Sequence, residues 1–207
     1  MNTITSSQKL GTGGPFWQRL GRALLPVTGW QVEGRELLTG HKYVLVVAPH
    51  TSNWDLPVGL VCGHALGLFA DWRCGFMIKD SATRWPLIGR LLKWFGGIPV
   101  NRQAPQNLVD QMLEVFERNE RLLVAVTPEG TRERREYWKT GFYRIALKAQ
   151  VPIALAYLDY KRRTAGIGQI VIPSGDMEAD FALFRAFYSG VTARFPEAVG
   201  LVQFRAS

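Results

Sequence analysis

The sequence predicts an α/β fold: a single domain with a mixed, largely parallel central sheet flanked by helices, plus a short N-terminal amphipathic helix. Three observations predict it. Apolar, β-branched-rich runs at Tyr43–Val47, Leu122–Val126 and Val151–Leu158 read as buried strands. Segments of helical periodicity separate them, which is the pattern of strands joined by crossover helices. A length of 207 residues, 47% of them apolar, suits one domain with a sizeable core. Residues 1–29 read as a mobile N-terminus and an amphipathic helix, and 30–207 as the domain proper.

Met1–Gly14 is rich in Ser, Thr and Gly and reads as mobile. Pro15 opens the first helix and Pro26 ends it. Phe16, Trp17, Leu20, Ala23 and Leu24 share a face, and Arg19 and Arg22 point away. That face suits a membrane headgroup boundary and equally the core of the domain itself. Trp30–Glu33 reads as a short strand, Gly34–Gly40 as a loop and Tyr43–Val47 as a strand ending before Pro49. The run from Leu56 to Ala70 is apolar almost all round, which predicts a helix buried on more than one side.

Phe76–Ile78 predicts a further strand, ending at Lys79. Trp85–Phe95 predicts a second aromatic, cationic helix, suited to a hydrocarbon chain, to lipid or to the core. Gly96-Gly97 permits a turn, and Ile98–Val100 is a short extended piece with Arg102 at its end. Asn107–Asn119 is a regular amphipathic helix, with Leu108, Met112, Val115 and Phe116 inward. After the strand Leu122–Val126 comes the loop Thr127-Pro128-Glu129-Gly130-Thr131-Arg132. The remainder predicts a helix at Phe142–Ala149, strands at Val151–Leu158 and Ile167–Ile172, a helix at Asp176–Phe195 and an edge strand at Val199–Phe204.

The formal charge is +8, with seven Trp and eleven Phe. Excess cations favour a phosphate-bearing partner: nucleic acid, an anionic membrane surface or a phosphorylated small molecule. The cations are dispersed and no RNA-binding motif is apparent, which argues against nucleic acid. Cys62 and Cys74 form no disulfide framework or zinc spacing, which predicts a reducing compartment and two buried structural thiols. Met1–Leu10 lacks the apolar stretch of a signal peptide. The longest apolar run contains His64 and three glycines and falls short of the ~20 residues of a spanning helix.

The stretch Ala48-Pro49-His50-Thr51-Ser52-Asn53-Trp54-Asp55 lies where a strand ends and a helix begins, the usual place for chemistry in open α/β sheets. On one continuous helix His50 and Asp55 would lie about 140° apart around the axis. In a turn leading into a helix, the carboxylate can fold back onto the imidazole. It then fixes the tautomer and leaves the second ring nitrogen as a base. The plainer alternative is that Asp55, or Ser52 or Asn53, only caps the helix. Arg102 is suited to clamp a phosphate, although a lone arginine is more often a surface residue or one paired with an acid; the backbone N–H groups of the Glu129–Arg132 loop, with Arg132, are suited to hold an anion.

Four blocks together carry a resemblance. His50-Thr51-Ser52-Asn53-Trp54-Asp55 is similar to a His-x4-Asp motif, and Gly97-Ile98-Pro99-Val100-Asn101-Arg102 to a second block ending in Arg. Pro128-Glu129-Gly130-Thr131-Arg132 matches a Pro-Glu-Gly-Thr-Arg block, and Val151-Pro152-Ile153 resembles a fourth. In that order, over about Val32 to Leu158, they resemble the glycerolipid acyltransferase family of 1-acylglycerol-3-phosphate and lysophospholipid acyltransferases. Lys79, Pro86, Gly89, Lys139 and Gly141 also stand where the family has such residues. Pro49 replaces the usual Asn before the His, and Thr127 the usual Phe before Pro-Glu-Gly.

The resemblance implies an O-acyltransferase. Its donor would be a thioester, acyl-CoA or acyl carrier protein, and its acceptor a lysolipid, 1-acylglycerol-3-phosphate above all. It implies direct transfer with His50 as base and Asp55 as its partner, without metal or other cofactor. Arg102 and Arg132 would hold the acceptor phosphate, with Glu129, Gly130 and Thr131 shaping the pocket. The enzyme would act in the cytoplasm, peripherally on the cytoplasmic membrane, using an anionic surface. The two departures leave room for another hydroxylated acceptor, such as a lyso-ornithine lipid. A non-enzymatic lipid-binding protein, in which His50 and Asp55 are dispensable, is the remaining alternative.

Overall fold

A computed structural model describes residues 14–79, 90, 96–100 and 105–205. Arg102, the segment up to residue 13 and, except for residue 90, the helix expected over 85–95 lie outside the described residues. In order, the elements are α1 (Pro15–Thr28), β1 (Gln31–Glu33), a 3-10 turn (Arg35–Leu37), β2 (Lys42–Val47), α2 (Asp55–Ala65) and α3 (Leu68–Asp71). Next come β3 (Arg73–Lys79), β4 (Gly97–Val100), α4 (Pro105–Glu117), β5 (Leu122–Val126) and α5 (Gly141–Ala149). The chain closes with β6 (Ile153–Asp159), β7 (Thr164–Val171), α6 (Met177–Tyr188) and a 3-10 turn at Pro196–Ala198.

The seven strands form one sheet in the order β1-β7-β6-β2-β5-β3-β4. The five strands from β6 to β4 run parallel, and β7 and β1 run against them. The central strands β2, β5 and β6 are apolar on successive residues because both faces of the sheet are covered there. On one face Val44 and Val46 of β2, Leu122 and Val124 of β5 and Ile153 and Leu155 of β6 meet α4, α5 and α6 through Met112, Phe116, Phe142, Ile145, Phe181 and Phe184. On the other, Tyr43, Leu45, Leu123, Ala154 and Ala156 pack with Leu66, Leu68 and Trp72 of the α2–α3 segment. The period-two alternation of strand side chains sends neighbouring residues to these two layers. Asp176 starts α6 by accepting the backbone N–H of Glu178 and of Ala179, each at 3.1 Å. At the far end of that helix the buried Tyr188 hydroxyl reaches the carbonyls of Val46 and Ala156, at 2.9 and 3.1 Å. The two parallel strands that carry the site are thereby pinned to α6.

α1 lies on α2 through Gly21. A Cβ there would stand 2.7 Å from Ala65 N and 3.0 Å from Val61 O, so the two helices touch backbone to backbone. Arg22 is not turned away as expected: its Nε donates to Ala65 O at 3.2 Å. The helix also runs past Pro26, because a proline in the final turn forfeits little of the hydrogen-bond ladder. Thr28 Oγ1 donates to the carbonyls of Leu24 and Leu25, and Gly29 closes the helix at φ 70°. The apolar stripe Phe16, Leu20, Ala23 and Val27 faces outward, with Phe16 67% and Val27 82% exposed.

Other expectations need correction. α2 is buried at Cys62, Gly63 and Ala65, but Leu56 stands in solvent, so the helix is covered along only part of its length. α6 ends at Tyr188, short of Phe195, because Ser189 and Gly190 turn the chain back toward the sheet. Residues 199–204 form no strand. They run as irregular chain, tied by Leu201 N–H to Arg135 O at 3.1 Å and by Trp138 N–H to Gln203 O at 2.8 Å. β3 starts at Arg73, three residues before the expected Phe76, and α4 starts at Pro105. Cys62 is buried, whereas Cys74 is only half-buried.

Candidate active site

The register of β6, β2 and β5 brings three loops together. Val46 of β2 pairs with Val126 of β5 on one side, and Val47 pairs with Ala156 of β6 on the other. The residues just beyond these strand ends are His50, Glu129 and Tyr160, which therefore collect at the carboxyl edge of the parallel sheet.

Asp55 is the first residue of α2, yet it does not cap the helix. Its side chain turns back over the preceding loop. Asp55 Oδ2 accepts from Thr51 N at 3.0 Å and Ser52 N at 2.9 Å, and lies 2.9 Å from His50 Nδ1. Ser52 Oγ accepts from Trp54 N at 3.1 Å, which tightens the same turn. Two consecutive peptide N–H groups thus fix the carboxylate before it meets the imidazole. Burial opposes ionisation of Asp55, but the bonds from His50, Tyr160 and Ser52 outweigh it and hold the carboxyl below its ordinary range. With Nδ1–H directed at a carboxylate, the neutral ring keeps its lone pair on Nε2. The His50 side chain is 23% exposed, so the ring is open to a reactant.

The backbone N–H of His50 faces both carboxylate oxygens of Glu129, at 3.1 and 3.3 Å. Glu129 is buried, and burial pushes its carboxyl up to about 7 despite that N–H. Gly130 takes φ 68° and donates its N–H to Thr127 O at 3.1 Å, closing a tight turn. The end of Lys139 lies against the open side of Gly130, where a Cβ would come within 2.7 Å of its Nζ. Lys139 N–H also bonds Pro128 O at 2.9 Å. Arg132 Nη1 donates to Asn53 Oδ1, joining this loop to the one that carries His50. Thr131 is half-buried, its Oγ1 accepting from Glu133 N at 3.4 Å.

The structure thus brings together His50, Asp55, Glu129, Gly130, Thr131 and Arg132. Two groups were missed from sequence. Tyr160, the residue after β6, donates its hydroxyl to Asp55 Oδ1 at 2.7 Å. The 192–195 segment also reaches the site: Phe195 N–H bonds Thr51 Oγ1 at 3.2 Å, and the Arg194 guanidinium lies 5.6 Å from the Trp54 ring and 5.7 Å from the Tyr160 ring. The signal for Tyr160 was present, since it too follows a buried parallel strand. Nothing local marks Arg194, whose stretch reads as the end of a helix.

Residues 29–157 match the family model described as Acyltransferase. No curated protein matches the chain. The matched span contains His50, Asp55 and the Glu129–Arg132 loop, and it ends before Tyr160.

Proposed function

The chain belongs to the acyltransferase family and is an acyl-transferring enzyme, and from that membership we propose its substrates and mechanism. It moves a fatty acyl group from a thioester, acyl-CoA or acyl carrier protein, to the hydroxyl of a lysophospholipid, 1-acylglycerol-3-phosphate first among them. The observation that carries this reading is the 2.9 Å approach of His50 Nδ1 to Asp55 Oδ2, with the ring accessible.

His50 Nε2 takes the proton of the acceptor hydroxyl as its oxygen attacks the thioester carbonyl carbon. Asp55 stabilises the imidazolium that forms. As the tetrahedral adduct collapses, the C–S bond breaks and His50 returns the proton to the departing thiolate, giving an ester and a free thiol. The thioester is already an activated donor, so the reaction asks for no further cofactor. Arg132 and Arg102 hold the acceptor phosphate. Gly130 and Thr131 line that pocket, and Glu129 braces it from below through the His50 N–H.

Membrane attachment is part of the same reading. None of the described helices is long and apolar enough to cross a membrane. The outward stripe of α1 and the exposed Trp54 and Leu56 beside the catalytic loop suit insertion at a lipid interface. The charge of +8 favours an anionic leaflet. The protein therefore works peripherally on the cytoplasmic face, drawing the lysolipid from the bilayer.

The test is transfer of a labelled acyl group from acyl-CoA and from acyl carrier protein to a panel of lysolipids. Labelled diacyl product from 1-acylglycerol-3-phosphate supports the reading. Transfer only to a lyso-ornithine lipid would keep the chemistry and change the acceptor, and transfer to none would overturn the proposal.

A further inference from the structure

We propose that Tyr160 is a positioning residue for this reaction: its hydroxyl, donating to Asp55 Oδ1, holds the carboxylate in the rotamer that keeps Oδ2 on His50 Nδ1. The inference rests on the acyl-transfer reading and extends it to a residue beyond the span of the family match.

The two oxygens of Asp55 have different surroundings. Oδ2 has three neighbours, Thr51 N, Ser52 N and His50 Nδ1. Among the described residues Oδ1 has one, the Tyr160 hydroxyl. Asp55 is buried, and a buried carboxylate oxygen left without a hydrogen-bond donor costs free energy. Rotation of the carboxylate would relieve that cost only by breaking the set on Oδ2. A phenol on Oδ1 removes the incentive to rotate.

The phenol is itself held in place. Its ring meets Trp30 edge-on, with centroids 5.1 Å apart and planes at 88°. Its backbone N–H bonds Thr192 O at 2.9 Å, and Arg194 stands over the ring. Burial and the neighbouring Asp55 carboxylate raise the phenol above its ordinary range, so it stays a hydrogen-bond donor at every working pH. The ionisable groups that act directly on Asp55 and the Tyr160 phenol are His50, each other and Arg194. Of these, only Tyr160 donates a hydrogen bond to Asp55 Oδ1 among the described residues.

Tyr160→Phe keeps the ring and its Trp30 contact and deletes the hydroxyl. Loss of one charge-assisted bond predicts a fall in kcat of about tenfold, with both KM values within about twofold of wild type. The carboxylate, no longer sharing its charge with a phenol, favours the imidazolium more strongly, so the acid limb of the kcat profile moves to higher pH. In an Asp55→Asn background the same change has no further effect, because the group it acts through is gone. The low-field proton resonance of His50 Nδ1–H gives a readout that needs no turnover, and Tyr160→Phe shifts or broadens it. A wild-type rate and resonance in Tyr160→Phe, or an equal loss in the Asp55→Asn background, would overturn the inference. A fully active Asp55→Asn enzyme would instead overturn the acyl-transfer reading on which it rests.

Discussion

The buried carboxylate of Glu129 receives the backbone N–H of His50, 79 residues away in the chain. Two loops that leave adjacent parallel strands are thereby locked to one another at the atom level. Arg132 and Asn53 form a second tie between the same loops. The loop that carries His50 and the loop that carries Arg132 are therefore tied together at two points.

Glu129 gives the tie between these loops a pH dependence. Its folded-state value of about 7 lies above the 4.5 of an unperturbed glutamate, so the fold binds a proton more tightly than the unfolded chain does. Stability is then fully present below pH ~4.5 and declines as pH rises through about 7, by up to about 3 kcal/mol. Glu129→Gln removes this slope. Denaturant melts from pH 4.5 to 8 should find the variant gaining on wild type as pH rises, and parallel curves would contradict the assignment.

Arg132 is expected to act on the acceptor and not on the thioester. Arg132→Ala should raise the acceptor KM by about tenfold or more, the scale of a lost charged hydrogen bond, and leave the thioester KM within about twofold. Arg102→Ala should behave alike. Initial rates with each substrate varied in turn decide this, and a selective rise in the thioester KM would move these residues to the donor site.

Gly21 sits where α1 and α2 touch. In a free helix, alanine in place of glycine stabilises by about 1 kcal/mol. Here the added methyl meets backbone at 2.7 Å, and overpacking of that kind costs ~1–3 kcal/mol. Gly21→Ala should therefore lower Tm, as measured by thermal melting. A higher Tm would mean that the two helices are free to separate.

The outward stripe of α1 is expected to matter to lipid and not to the fold. Phe16→Ser, Leu20→Ser and Val27→Ser together remove side chains each worth roughly 1.5–3 kcal/mol on burial. Binding to phosphatidylglycerol vesicles should fall by at least ~10-fold with Tm unchanged. Equal vesicle binding by the triple variant would place the lipid contact elsewhere.

Much of this arrangement was legible in the sequence. Runs such as Leu122–Val126 and Ile153–Asp159 declare themselves because both of their faces are covered. The pairing of His50 with Asp55 was readable from a spacing that a turn folds together and a continuous helix does not. The illegible parts depend on tertiary contacts. Arg22 points at α2 because Ala65 O needs a donor there, which helical periodicity does not encode. α6 stops at Tyr188, and beyond the turn at Ser189 and Gly190 the 192–195 segment bonds to Thr51 and Tyr160, contacts between chain-distant residues. Phe204 packs on the ring of Phe181, with centroids 4.9 Å apart, without any strand pairing to announce it.

The central claim is that His50 removes the proton from the acceptor hydroxyl. The most direct measurement is steady-state transfer of a labelled acyl group to 1-acylglycerol-3-phosphate by purified His50→Ala, with Tm followed in parallel. The expected result is a loss of ~10²–10⁴-fold in kcat in a protein that melts close to the wild-type temperature. A folded His50→Ala enzyme that turns over at the wild-type rate would contradict it.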